Sequence, residues 1–100
     1  MLNINKTVEG EKTVFTLEGR MDTVTAPELE KELKASLDGV KELTLDFEKL
    51  DYISSAGLRV LLSTQKVMNK QGALKIIHVN DTIMEIFEVT GFTEFLPIEY

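Results

Sequence analysis

Two hydrophobic periods alternate along this chain of 100 residues, and their order constrains the fold more than any single motif does. A period of two marks strands; recurrence at three and four residues marks helices. Leu2, Ile4 and Lys6 alternate weakly with Asn3, Asn5 and Thr7, as in an edge strand, and Glu9-Gly10-Glu11 turns the chain. Val14, Thr16 and Glu18 alternate with Phe15, Leu17 and Gly19, which predicts an antiparallel return strand that ends in a Gly19-Arg20-Met21-Asp22 loop. Thr25 and Glu28 have the spacing of a capping box, with Pro27 in the first turn, so a helix starts there. Its apolar face is Ala26, Leu29, Leu33, Leu37 and Val40, and Gly39 stops it.

Leu43, Leu45 and Phe47 alternate with Thr44, Asp46 and Glu48 in a short strand, and Lys49 to Ile53 read as a loop into a second helix, about Ser55 to Lys70. Ala73 to Val79 is an apolar run around Lys75 and His78, expected of a strand covered on both faces. Asn80 or Asp81 caps a third helix whose face is Ile83, Ile86, Phe87 and Thr90; Gly91 suits a left-handed C-cap, and Phe92 to Ile98 is read as a last strand. The order ββαβαβαβ implies an α/β fold: a mixed, mostly parallel sheet with one antiparallel edge strand and packed helices. Periodicity does not say whether the helices lie on one face or both. A chain of this size holds one core, so one domain over residues 1–100 is expected.

Charge and composition narrow the function. Seventeen acidic against 11 basic residues give a formal net charge of -6, which repels a phosphate backbone or an anionic membrane surface. No apolar run approaches the roughly 18 to 20 residues that cross a bilayer. The opening MLNINKTVEG lacks the form of a secretory signal, and there is no cysteine, so a cytoplasmic protein is expected, with no direct nucleic-acid contact and no membrane insertion. One histidine and no cysteine are a thin inventory for catalysis. His78, at the end of the apolar strand, reads as structural. Asp22, Asp46 and Asp51 sit where acidic residues are ordinary, and the Gly-rich phosphate loops are missing. No enzyme, metal or cofactor is expected.

The segment Asp51-Tyr52-Ile53-Ser54-Ser55-Ala56-Gly57-Leu58-Arg59 stands apart. Two hydroxyls at a loop-to-helix junction, followed by small residues, leave the first amides of a helix open to an anion. Serine is also a preferred N-cap, so plain capping explains much of the pattern. A glycine in the first turn costs up to about 1 kcal/mol against alanine, and capping alone does not account for it.

Tyr52-Ile53-Ser54-Ser55-Ala56-Gly57-Leu58 closely resembles the signature of the STAS family, the domain of bacterial anti-sigma factor antagonists. Gly19-Arg20-Met21-Asp22 is similar to the family's glycine-x-x-aspartate, Leu45-Asp46-Phe47 to its third strand, and Val89-Thr90-Gly91-Phe92 to the close of its third helix. The resemblance implies a non-enzymatic switch. Such an antagonist binds an anti-sigma factor that is also a serine kinase, thereby frees a sigma factor, and is switched off by phosphate on a serine at the start of the second helix. Aligned on Ala56-Gly57-Leu58, that serine is Ser55. The best-known antagonists have aspartate before it; this chain has Ser54, a second possible acceptor. The resemblance also implies a serine phosphatase as partner. It implies a docking surface of Met21, Asp22, Thr23, Tyr52, Ile53, Ser54, Ala56, Gly57 and Arg59, with Asp22 and Asp46 as an acidic rim that supports Ser55. Arg59, one turn beyond Ser55, is placed to meet the phosphate or the partner. The alternative within the family is a phosphorylation-independent adaptor subunit of a lipid-transport ATP-binding cassette complex.

Overall fold

The computed structural model describes residues Leu2 to Tyr100. The elements are β1 (Leu2–Glu9), β2 (Lys12–Met21), α1 (Ala26–Ser36), β3 (Glu42–Ile53), α2 (Ser55–Asn69), β4 (Ala73–Ile77) and α3 (Asp81–Thr90), followed by one 3₁₀ turn, Phe92–Glu94. The sheet order is β1-β2-β3-β4, with β1 antiparallel to β2 and the other pairs parallel. β2, β3 and β4 succeed one another in the same direction across the sheet. Right-handed crossovers that step one way place their helices on one side. Burial agrees: Phe15 and Leu17, Leu43, Leu45 and Phe47, and Leu74 and Ile76 are buried, while the alternating Thr16, Asp46, Glu48 and Lys75 face outward. The open face of the sheet is polar.

The core between sheet and helices includes Leu29 and Leu33 of α1, Leu58 and Leu61 of α2, and Phe87 of α3, whose ring stacks on Phe47 with centroids 6.3 Å apart. Asn80 caps α3, its side chain accepting from the Ile83 amide at 2.9 Å, and Gly91 closes the helix at φ +79°.

Four expectations are corrected. Lys49 to Ile53 is not a loop: β3 continues through it, pairing Gly19 with Leu50 and Met21 with Ile53 across two register shifts. β4 stops at Ile77 and is buried on one face only, because Ala73 and Lys75 stand on the open side. Phe92 to Ile98 is not a strand but the 3₁₀ turn followed by a single bridge between Ile76 and Ile98. Pro97, lacking an N–H, enters this pairing only as an acceptor, from the Ile76 amide at 2.9 Å. Finally, Thr25 forms no capping box. Its hydroxyl turns back to β2, donating to the Arg20 carbonyl at 2.7 Å and accepting from the Asp22 amide at 2.8 Å, while Glu28 stays exposed.

Candidate functional site

The ends of the two central strands bring the two family-like segments together. Met21 and Ile53 are register partners, and the Ser54 amide donates to the Met21 carbonyl at 2.8 Å. The β2–α1 loop and the start of α2 therefore leave the sheet side by side. Ser54 is the N-cap: its backbone is extended (φ -97°, ψ 176°), and its hydroxyl accepts from the Gly57 amide at 3.4 Å. That bond is long, so the cap is weak. Ser55 is the first residue of the helix and is exposed, and among the described residues its hydroxyl takes part in no hydrogen bond. The two serines thus differ physically: one is occupied in the cap and half-buried, the other projects into solvent.

Gly57 explains how the helix start sits so low. A β-carbon there would lie 2.7 Å from Ile53 Cγ1, 2.7 Å from Met21 Sδ and 3.0 Å from Met21 Cγ. Met21 and Ile53 are in turn 0% and 1% exposed. This corrects the expectation that Met21, Ile53 and Gly57 touch a partner: they form the floor on which the site rests. The residues that do reach the surface here are Thr23 and Ser55, both exposed, with Arg59 exposed one turn along and Ala56 and Tyr52 half-buried. Sequence reasoning missed two others. Val24, at the apex of the loop, is 78% exposed, and the Arg20 guanidinium lies 4.7 Å from the centre of the Tyr52 ring, a cation–π contact that holds the ring. Arg20 and Tyr52 pair across the strands, but the pairing is invisible until β3 is known to extend that far.

The two aspartates do not form one rim. Asp22 Oδ1 accepts from the Val24 and Thr25 amides, each at 3.0 Å, and organises the β2–α1 loop. The Thr25 amide first, and then that of Val24, hold its carboxyl below the ordinary aspartate range. Asp46 lies within β3, seven residues before Ile53. Asp46 pairs with Thr16 and Ile53 with Met21, five residues along β2, so at about 3.3 Å per residue Asp46 is roughly 17 Å from the start of α2, and its expected support of Ser55 is corrected. Asp46 Oδ1 instead meets His78 Nδ1 at 3.0 Å and accepts from the Glu48 amide at 3.0 Å. The Asp46 hydrogen bond, helped by the charges of Asp46 and Glu48, raises the His78 pKa above its usual value. His78 is anchored at φ +57°, with its ring half exposed on the open side of the sheet rather than in the core. Asp46, Glu48 and His78 are the one group of potential metal ligands that converges among the described residues; Asp22 and Asp51 do not join it.

Chemically, an exposed serine at a helix start with no base hydrogen-bonded to it suits an acceptor of a group delivered by another protein, because an unassisted hydroxyl is a weak nucleophile. The first turn of α2 carries no acidic side chain, so an added anion there meets a favourable helix dipole without repulsion from its own turn.

The family model for the STAS domain matches residues 3–100. A Bordetella bronchiseptica protein assigned as the anti-sigma factor antagonist BtrV is 40% identical over 87 residues, which are 85% of this chain and 75% of that protein. The anti-sigma-B factor antagonist of Staphylococcus aureus is 31% identical over 99 residues, covering 97% and 92%. Among solved structures, the phosphorylated form of the Bacillus cell fate determinant SpoIIAA superposes with a TM-score of 0.74 at 17% identity, covering 98% of this chain and 90% of that one, a likeness of fold. The chain belongs to the STAS domain family, alongside its anti-sigma factor antagonists.

Proposed function

We propose that this chain is an anti-sigma factor antagonist that binds an anti-sigma factor serine kinase while Ser55 is unmodified and loses that affinity when Ser55 carries phosphate. The observation that carries the reading is the exposed, unengaged Ser55 at the first position of α2, beside the β2–α1 loop. The antagonist names of relatives at 40% and 31% identity support it. In the transfer, Ser55 Oγ attacks the γ-phosphorus of ATP held by the kinase. The Oγ–P bond forms, the bond to the β-phosphate oxygen breaks, ADP leaves, and the hydroxyl proton passes to a base of the kinase. A serine phosphatase reverses the state by bringing water to the phosphorus, which releases inorganic phosphate and restores the hydroxyl. The setting is the cytoplasm, where ATP and sigma factors meet; no helix among the described residues is long and apolar enough to cross a membrane.

The docking surface in this proposal is Thr23, Val24, Tyr52, Ser55 and Arg59, held up by Met21, Ile53 and Gly57. Phosphate adds about 1.5 to 2 negative charges there. Two like charges about 7 Å apart at an effective dielectric of about 40 repel by roughly 1 kcal/mol, and a dianion facing more than one acidic group exceeds this. Since 1.4 kcal/mol is tenfold in affinity, repulsion suffices for a switch without rearrangement of the fold. The test is incubation with the cognate kinase and ATP, followed by peptide mass spectrometry and calorimetric titration. Phosphate is expected on Ser55, with affinity falling at least tenfold, and Ser55→Ala is expected to bind as wild type does and to take no label. Labelling only at Ser54, or equal affinity before and after phosphorylation, overturns the proposal.

A further inference from the structure

On α2 the residue best placed to respond to a phosphate is Arg59. It lies four residues beyond Ser55, and both are exposed. Side chains at this spacing share one helix face with β-carbons about 5 to 6 Å apart. Long helical side chains also lean toward the N-terminus, so a residue at the later position covers the earlier one. Arg59 is not committed elsewhere: among the described residues it enters no salt bridge. Its own helix offers no competitor, since Ser55 to Asn69 contains no aspartate or glutamate. Asp22, the acidic residue of the neighbouring loop, spends one carboxylate oxygen on the Val24 and Thr25 amides.

We propose that Arg59 is an internal receptor for phosphate on Ser55, pairing with it across one turn of α2. The inference rests on the proposed phosphorylation and deepens it. A guanidinium presents a planar fork of donors that two phosphate oxygens accept together, which a lysine would not match. The helix N-terminus reinforces the attraction from the other side. Phosphorylation then changes the docking face twice: it installs a dianion, and it ties up the cation that the unmodified face presents. A partner that meets this face with an acidic group loses its counter-charge in the same event that introduces repulsion.

The test installs phosphoserine at position 55 during translation, so that it does not depend on any kinase recognising the chain. A ³¹P NMR titration then reads the second ionisation of the phosphate in three proteins: the otherwise wild-type chain, Arg59→Gln, and Lys66→Gln as a control 11 residues from Ser55 on the same helix. Pairing favours the dianion over the protonated phosphate, so the otherwise wild-type protein should titrate about 0.2 to 0.4 pH units below Arg59→Gln. The gap should narrow as salt rises. Lys66→Gln should match wild type. Equal values for wild type and Arg59→Gln, or an equal effect of Lys66→Gln, overturn the pairing. Failure of the kinase to label Ser55 would bear on the proposed function and leave this result standing.

Discussion

Gly57→Ala tests whether the low seat of α2 is needed, and the outcome follows from two opposing magnitudes. Alanine in place of glycine favours a helix by up to about 1 kcal/mol. Against this, the new methyl would lie 2.7 Å from both Ile53 Cγ1 and Met21 Sδ. Comfortable carbon contacts are about 3.5 to 4.0 Å, so the overlap approaches 1 Å. Neither neighbour can yield cheaply. Ile53 Cγ1 is one bond from the β-carbon of a β-branched residue within β3, and Met21 is fully buried. Overpacking of this kind costs about 1 to 3 kcal/mol, which outweighs the gain in propensity and leaves a net loss of about 1 to 2 kcal/mol. For a domain of this length that is a fall in Tm of about 5 to 15 °C.

Urea unfolding followed by circular dichroism would measure the loss directly. A double-mutant cycle identifies its cause: in a Met21→Ala background, where the sulfur is gone, the cost of Gly57→Ala should shrink by about 1 kcal/mol. The same overlap lifts the first turn that carries Ser55, so the phosphorylation rate should fall even at temperatures where both proteins are folded. Unchanged or increased stability of Gly57→Ala, or an unchanged cost in the Met21→Ala background, would refute the packing argument.

Ser54→Ala should cost about 0.5 to 1 kcal/mol, at the low end for a cap because its bond to the Gly57 amide is long, and Ser54→Asp should recover the loss by adding a carboxylate to the helix dipole; chemical denaturation checks both. Asp22→Ala should lower the denaturation midpoint at neutral pH. Because the folded carboxyl of Asp22 ionises below its unfolded value of 3.8, its stabilisation is present above that pH and lost as pH falls through the folded pKa, so wild type and variant should converge in acid. The opposite sign applies to His78. Its folded pKa is raised above 6.5, so its pairing with Asp46 is fully present below pH 6.5 and fades as pH rises through the folded value; an NMR titration should show the raised pKa returning toward 6.5 in Asp46→Asn.

The parts of the fold that were legible in the sequence are those where one local signal has one physical solution. The β1–β2 hairpin follows from two alternating runs around Gly10, and α3 is bracketed by Asn80 and Gly91, each of which does what its residue type predicts. The misreadings share a cause, a signal whose partner lies elsewhere in space. Thr25 and Glu28 have capping-box spacing, yet Asp22 already supplies the carboxylate that organises the loop, and the Thr25 hydroxyl is drawn to the Arg20 carbonyl. The second half of β3 buries Phe47, Leu50 and Ile53, a spacing of three rather than two, because its register against β2 shifts twice. A bulge of this kind breaks the alternation by which a strand is recognised. Asp46 is affected as a consequence: it stands close to the second helix if the strand stops at Glu48, and lies near the middle of the longer strand that forms.

At the candidate site, the motif residues were all visible, but their division of labour was not. Met21, Ile53 and Gly57 hold the surface and Thr23, Ser55 and Arg59 present it, although spacing treats them alike. Ile53 and Ser55 show why. Two residues apart, they would face the same way on a continuing strand, and the hydroxyl would point at the core. The chain instead remains extended at Ser54 and becomes helical at the next residue. The Ser54 amide is still held by the Met21 carbonyl of the sheet, while its carbonyl accepts from Leu58 in the first helical hydrogen bond at 3.0 Å. One residue therefore carries the change of direction, and with it Ile53 is left beneath the helix and Ser55 on the outside. Ser54, between strand and helix, is engaged by the sheet and by the cap, and Ser55, the first residue of the helix, is left exposed because those bonds have already been made.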